Sequence, residues 1–201
     1  MRLVLASNNA KKLVELQALF SPLGLELVTQ GSLGISEAEE PYVTFVENAL
    51  TKARHAAQHA NAAAIADDSG LCVDALGGAP GVLSARYATL FNRPKSDDEN
   101  NRVLLENMAS HTDRRARFVS ALVAVRSADD PEPLIAFGRW EGEVLRELRG
   151  EGGFGYDPLL FIPSLGQTVA ELGAEKKNIH SHRAIASRQM LALMHEVWRL
   201  G

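Results

Sequence analysis

The sequence predicts an α/β fold. Short apolar runs suited to buried strands alternate with segments of helical periodicity, and turns bearing glycine or proline separate them. The first run covers residues 2–6, and a helix follows over 11–20, with Leu13, Leu16 and Phe20 on one side. Asn8 or Asn9 caps its start, and Pro22 and Gly24 end it. Residues 25–28 read as a second strand, and 37–41 as an acidic irregular stretch. Thr44, with Glu47 three residues on, has the pattern of a capping box and opens an alanine-rich helix that runs to about His59. Residues 62–66 form a short apolar strand that stops at a turn, Asp67-Asp68-Ser69-Gly70. A further turn at Gly77-Gly78-Ala79-Pro80-Gly81 precedes an amphipathic helix over 97–110. Residues 118–125 are apolar on both alternating faces, as a strand covered on both sides should be, and Leu134–Val144 makes a neighbour for it. A glycine-rich segment, 150–156, leads into a strand at 158–162. The last helix starts near Ser181 and turns Ile185, Met190, Leu193, Met194 and Val197 inward.

At 201 residues the chain fits a single domain, 1–201, or a compact domain with a smaller lobe, and it has no internal repeat or long linker. An apolar fraction of 46% with 23% charged residues is that of an ordinary globular protein. Cys72 is the only cysteine, which excludes an intrachain disulfide and a cysteine-based metal site and suits a reducing cytoplasm. The opening apolar run is too short for a signal peptide or a membrane span. A net charge of −4 argues against nucleic acid and membrane surfaces as partners, since both need a positive field. Any polyphosphate ligand of so acidic a chain has to be met by local lysines and arginines and a divalent cation.

Five segments have the residue types for such chemistry. Ser7-Asn8-Asn9-Ala10-Lys11-Lys12 joins a strand to a helix N-terminus, where backbone N–H groups and the helix dipole favour phosphate. It is not a Walker A loop, and it also reads as an ordinary capped helix with solvated lysines. Asp67 and Asp68 sit at the expected carboxyl end of a strand, where open α/β sheets place ligands. One carboxylate there can hold Mg²⁺, and it or its neighbour can polarise a water for attack on phosphorus; a plain polar turn is the alternative. Glu37, Glu39 and Glu40 precede a helix on which Asn48 and Lys52 share a face; Glu40 offers a second Mg²⁺ oxygen and Lys52 a phosphate contact, unless the stretch is only a solvated loop. Gly152-Gly153-Phe154-Gly155-Tyr156-Asp157-Pro158 brings an aromatic ring beside flexible backbone, suited either to stacking on a base or to a hairpin turn with a core Phe. Finally, Ser181 caps the last helix and puts His182 and Arg183 in its first turn, where cations oppose the helix dipole; rules of this kind tend to break at sites.

Taken together and in this order, these segments resemble the inosine triphosphate pyrophosphatase family, and more closely its bacterial branch, the dITP/XTP pyrophosphatases. Glu15, the run Thr44-Phe45-Val46-Glu47-Asn48-Ala49, and Ser84-Ala85-Arg86 belong to the same set, which spans nearly the whole chain. The resemblance implies an elongated mixed β-sheet flanked by helices, two lobes around a central active-site cleft, and a homodimer. It implies hydrolysis of deaminated purine nucleoside triphosphates (ITP, dITP, XTP) between the α- and β-phosphates, giving the nucleoside monophosphate and pyrophosphate. Carried over residue by residue, Asp68 is the catalytic acid–base group and a Mg²⁺ ligand, joined at the metal by Glu40. Ser7, Asn8, Asn9, Ala10, Lys11, Lys12, Lys52 and Lys177 hold the triphosphate. Ser69, Phe154, Gly155, Tyr156, Asp157, His182 and Arg183 surround the nucleoside. Asn8 and Lys11 depart from the family pattern, standing where glycine is common. Two further readings are a related-fold pyrophosphatase acting on other modified nucleotides and a nucleotide-binding module without catalysis.

Overall fold

The computed structural model describes residues 2–21 and 24–199; Pro22, expected to end the first helix, lies outside the described residues. The alternation of strands and helices takes the form β1 (Arg2–Leu5), α1 (Ala10–Phe20), β2 (Glu26–Thr29), α2 (Phe45–Ala60), β3 (Ala64–Val73), α3 (Asp97–Asn107), β4 (Arg115–Val125), β5 (Leu134–Val144), β6 (Leu160–Ile162), β7 (Gln167–Thr168), α4 (Ala174–His180) and α5 (His182–Val197). The strands hydrogen-bond in the order β2-β1-β3-β4-β5-β6-β7. β1 is parallel to β2 and β3, whereas β6 is antiparallel to β5 and β7, so the sheet is mixed. Among the described residues, no helix is long and apolar enough to cross a membrane.

The chain divides into two compact units, the first drawn from Met1–Asp68, Ser120–Gly138 and Ser181–Gly201, the second from Ser69–Val119 and Arg139–His180. In the first, side chains sort by parity. Leu3, Leu5, Ile65, Leu122 and Ala124 pack with Leu16 and Phe20 of α1 and Ala186, Met190 and Met194 of α5. Val4, Ala6, Ala64, Ala66, Val123 and Val125 pack with Ala49, Ala53, Ala56 and Ala57 of α2. A strand covered on both faces has no polar side to alternate with, which is why these runs are continuously apolar. The second unit has its own core, built around Leu71, Leu104, Met108, Trp140, Tyr156 and Leu160.

Several boundaries differ from the expectation. The largest difference concerns β3, which does not stop at Ala66: Asp67-Asp68-Ser69-Gly70 is extended strand, not a turn, and the chain continues straight through Leu71-Cys72-Val73. Buried carboxylates are tolerated there because each has a cationic partner, described below. The strand expected at 158–162 shortens to Leu160–Ile162, since Pro158 has no N–H and the N–H groups of Leu159 and Leu160 both turn back to the Tyr156 carbonyl. Thr44 caps α2 as its sequence predicts, but the Glu47 carboxylate accepts from the Thr44 hydroxyl instead of its backbone N–H. α3 ends at Asn107 with Met108 as its cap, and α4 and β7 are too short to show a period.

Gly138 of β5 lies under the start of α5, where a Cβ would overlap the His182 carbonyl and crowd Ala186 N. Both contacts are backbone and cannot swing aside. Gly138→Ala is therefore expected to lower stability in urea unfolding by at least about 1–3 kcal/mol. Gly173→Ala, with nothing near the new methyl, is expected to leave it unchanged or slightly raised.

Candidate active site

Consecutive side chains of a strand leave on opposite faces, so the adjacent acids of β3 part company. Asp67 shares the parity of Ile65 and points toward α1 and α5. Its Oδ2 lies 2.8 Å from Lys12 Nζ and 3.3 Å from Arg183 Nε, and its Oδ1 accepts the Ser120 hydroxyl at 2.6 Å. Arg183 is clamped from the other end by Glu15, 2.8 Å from Nη1. Burial pushes the Asp67 carboxyl up, but Lys12 and Arg183 overcome it and hold Asp67 well below the usual carboxylate range. Burial lowers Lys12 despite Asp67, with Arg183 and Lys52 pushing the same way. For Arg183, Asp67 and Glu15 outweigh burial and raise it.

Asp68 shares the parity of Ala66 and points toward α2. Its Oδ1 lies 2.8 Å from Lys52 Nζ, which also donates to the Asp67 carbonyl at 3.1 Å and stands 3.5 Å from Glu40 Oε1. Asp68 Oδ2 is buried and has no hydrogen-bond partner among the described residues. Burial raises the Asp68 carboxyl more than Lys52 lowers it, and Asp68 with Glu40 raises Lys52 against its own burial. An unpartnered carboxylate oxygen, with Glu40 on the same ammonium, is a hard-oxygen donor set that fits a divalent cation. Among the described residues no three acidic, histidine or cysteine side chains cluster as a metal site. A cation here would take its other ligands from outside the chain, as Mg²⁺ does when it bridges phosphates.

The α1 N-terminus is built as a cap. Asn9 Oδ1 accepts from the N–H groups of Lys11 and Lys12 at 3.0 and 3.1 Å, and the Ser7 hydroxyl accepts from Asn9 N. The cap thus takes two of the first-turn donors expected to face phosphate. Asn8 Nδ2 donates to Glu37, Ala10 opens the helix, Lys11 is exposed, and Lys12 turns to Asp67. His182 is buried beside Arg183 in the first turn of α5.

In the second unit, Asp157 organises a separate group. Its Oδ2 accepts from Phe154 N at 3.0 Å and from Lys177 Nζ at 2.8 Å, and the ammonium sits 4.6 Å from the centre of the Phe154 ring. Gly153, at φ +74°, makes this possible, since a Cβ there would overlap the Asp157 carboxylate. The Tyr156 side chain packs in the core and donates to the Ser84 carbonyl at 2.7 Å. Ser69, half-buried, begins this unit along β3.

The structure therefore brings Lys12, Lys52, Glu40, Asp67, Asp68 and Arg183 together in one unit, and Phe154, Asp157 and Lys177 in the other. Sequence reasoning missed Ser120, although it is the only hydroxyl in the apolar run 118–125. It also gave Glu15 no role, and it gave Asp67 none of its own once the chemistry was assigned to Asp68.

A sequence model of the Ham1 family matches residues 3–193. The dITP/XTP pyrophosphatase of Methylibium petroleiphilum is 66% identical over 206 aligned positions, covering 98% of this chain and 99% of its own. That of Leptothrix cholodnii is 65% identical over 212 positions, covering 100% of both. The solved HAM1 protein from Coxiella burnetii superposes with a TM-score of 0.90 at 43% identity, over 98% of this chain and 100% of its own.

The two acids predict opposite balances of stability. Asp67→Asn strands Lys12 in a buried site and leaves Arg183 with Glu15 as its carboxylate, and is expected to cost about 3–5 kcal/mol in urea unfolding. Asp68→Asn removes a charge that burial already disfavours, and is expected to cost much less.

Proposed function

This chain belongs to the Ham1 family, and from that premise we propose that it hydrolyses dITP, XTP and ITP to the nucleoside monophosphate and pyrophosphate, keeping deaminated purines out of DNA and RNA. One observation carries the chemistry: Asp68, buried with one oxygen unpartnered, beside Lys52 and Glu40. A raised carboxyl bonded to a lysine is suited to take a proton from an attacking water and return it. Asp68 and Glu40 would hold Mg²⁺, which neutralises phosphate charge and orients the anhydride for in-line attack.

In the first unit, Lys12 and Lys52 meet the triphosphate, with Ser7, Asn8, Asn9, Ala10 and Lys11 at the mouth of α1. Asp67 holds Lys12 in place for that work, and Arg183 in place for the base. In the second unit Lys177 is the phosphate contact, and Ser69 and Phe154 to Asp157 serve the nucleoside, with Phe154 supplying a ring for stacking. Hypoxanthine and xanthine carry a carbonyl at C6 where adenine carries an amino group. Donors from His182 and Arg183 pair with the first and leave the second unsatisfied, a difference that discriminates by orders of magnitude. The family resemblance supports a homodimer, and the single cysteine supports a reducing, cytoplasmic setting.

Pyrophosphate release from dITP, XTP, ITP, dATP, dGTP and modified pyrimidine triphosphates, with and without Mg²⁺, tests this. Mg²⁺-dependent turnover of the first three is expected, with a loss of about 10²–10⁴-fold in Asp68→Asn. Binding without turnover would refute the hydrolytic reading, and a preference for pyrimidines would refute the base assignment.

A further inference from the structure

We propose that Asp97 and Asn101 of α3 are positioning residues that set how the Phe154 loop meets the base; this rests on the reading that the loop contacts the nucleoside. The two are four apart and share a helix face. Together they grip both backbone groups of one residue: Gly155 N–H donates to Asp97 Oδ2 at 2.9 Å, and Asn101 Nδ2 donates to the Gly155 carbonyl at 2.9 Å. Gly155 stands at φ +61°, a left-handed conformation that sheet and helix ladders do not serve. Side chains remote in sequence do that service instead.

Three consecutive residues are pinned in this way. Phe154 is held through its N–H by Asp157, Gly155 through its N–H and carbonyl by α3, and Tyr156 through its hydroxyl by the Ser84 carbonyl. The helix that grips Gly155 is itself tied down, because Asn100 accepts from Ala88 N at 2.8 Å and donates to the Ala85 carbonyl. Asn101 gains nothing for α3 by being an amide. It is 4% exposed, and its Oδ1 has no hydrogen-bond partner among the described residues. An apolar residue would bury better at that position, so the bond to Gly155 is what the amide supplies. The result is a frame that presents the Phe154 ring in one orientation, and such preorganisation appears as substrate affinity.

The test uses the full chain with Mg²⁺ and dITP, comparing Asp97→Ala, Asp97→Asn, Asn101→Asp and Phe154→Ala. Asp97→Ala and Asn101→Asp are expected to raise KM about tenfold, toward the value of Phe154→Ala, with kcat within about twofold of the parent. Asp97→Asn keeps an oxygen that accepts the Gly155 N–H and is expected to restore KM, which separates the bond from the loss of helix N-terminal charge common to both Asp97 variants. If Phe154→Ala raises KM while Asp97→Ala and Asn101→Asp change only the melting temperature, α3 is a structural support and the proposal fails. If Phe154→Ala leaves KM unchanged, the underlying reading of the loop fails instead.

Discussion

The alternation of side chains along an extended strand is the constraint on which the rest of the first unit depends. Because β3 continues through Asp67 and Asp68, the carboxylates of two adjacent residues leave on opposite faces of the sheet. One joins α1 and α5 through Lys12 and Arg183, and the other joins α2 through Lys52. Their electrostatic fates follow. Asp67 is surrounded by cations and a hydroxyl and stays ionised at no gain in reactivity. Asp68 has a single lysine and an unpartnered oxygen, so its charge is the less comfortable of the two. Neither role needs a special turn or strained backbone, only the pleat of a strand with cations on both sides.

The second unit solves a different problem, holding an aromatic ring beside a lysine without sheet pairing to support it. Its solution is a chain of side-chain bonds to backbone: Asp157 to Phe154, Asn101 and Asp97 to Gly155, and Tyr156 to Ser84. Two left-handed glycines, Gly153 and Gly155, flank Phe154, and the missing side chain of Gly153 lets the Asp157 carboxylate come close. Loops usually hold function at the expense of rigidity, and this one recovers rigidity from α3 and the core tyrosine.

Much of this was legible in the residues. The strands at Leu3, Phe118 and Leu134, the helices closed by Asn9, Thr44 and Ser181, and the roll of charged candidates all follow from periodicity and capping, which are local. What local pattern misreads is the acidic pair. Asp, Ser and Gly are turn formers, and only partners distant in sequence, Lys12 and Arg183 above all, turn Asp67-Asp68-Ser69-Gly70 into buried strand. Ser120, Glu15, Asp97 and Asn101 escaped for the same reason, since each acts on a residue more than fifty positions away. Arg183 against the helix dipole was the exception, a local conflict that did signal a site, because two carboxylates offset it.

The parity of β3 also bears on how this protein can change over evolutionary time. Inserting or deleting a single residue between Ala64 and Asp68 would exchange the faces of everything beyond it, giving the α2 lysine the structural acid and the α1 cations the reactive one. Substitutions at either acid can be explored one at a time, whereas a change of length there cannot be partial. Descendants of this chain can therefore lengthen their loops freely, but the count of residues along this strand is inherited intact.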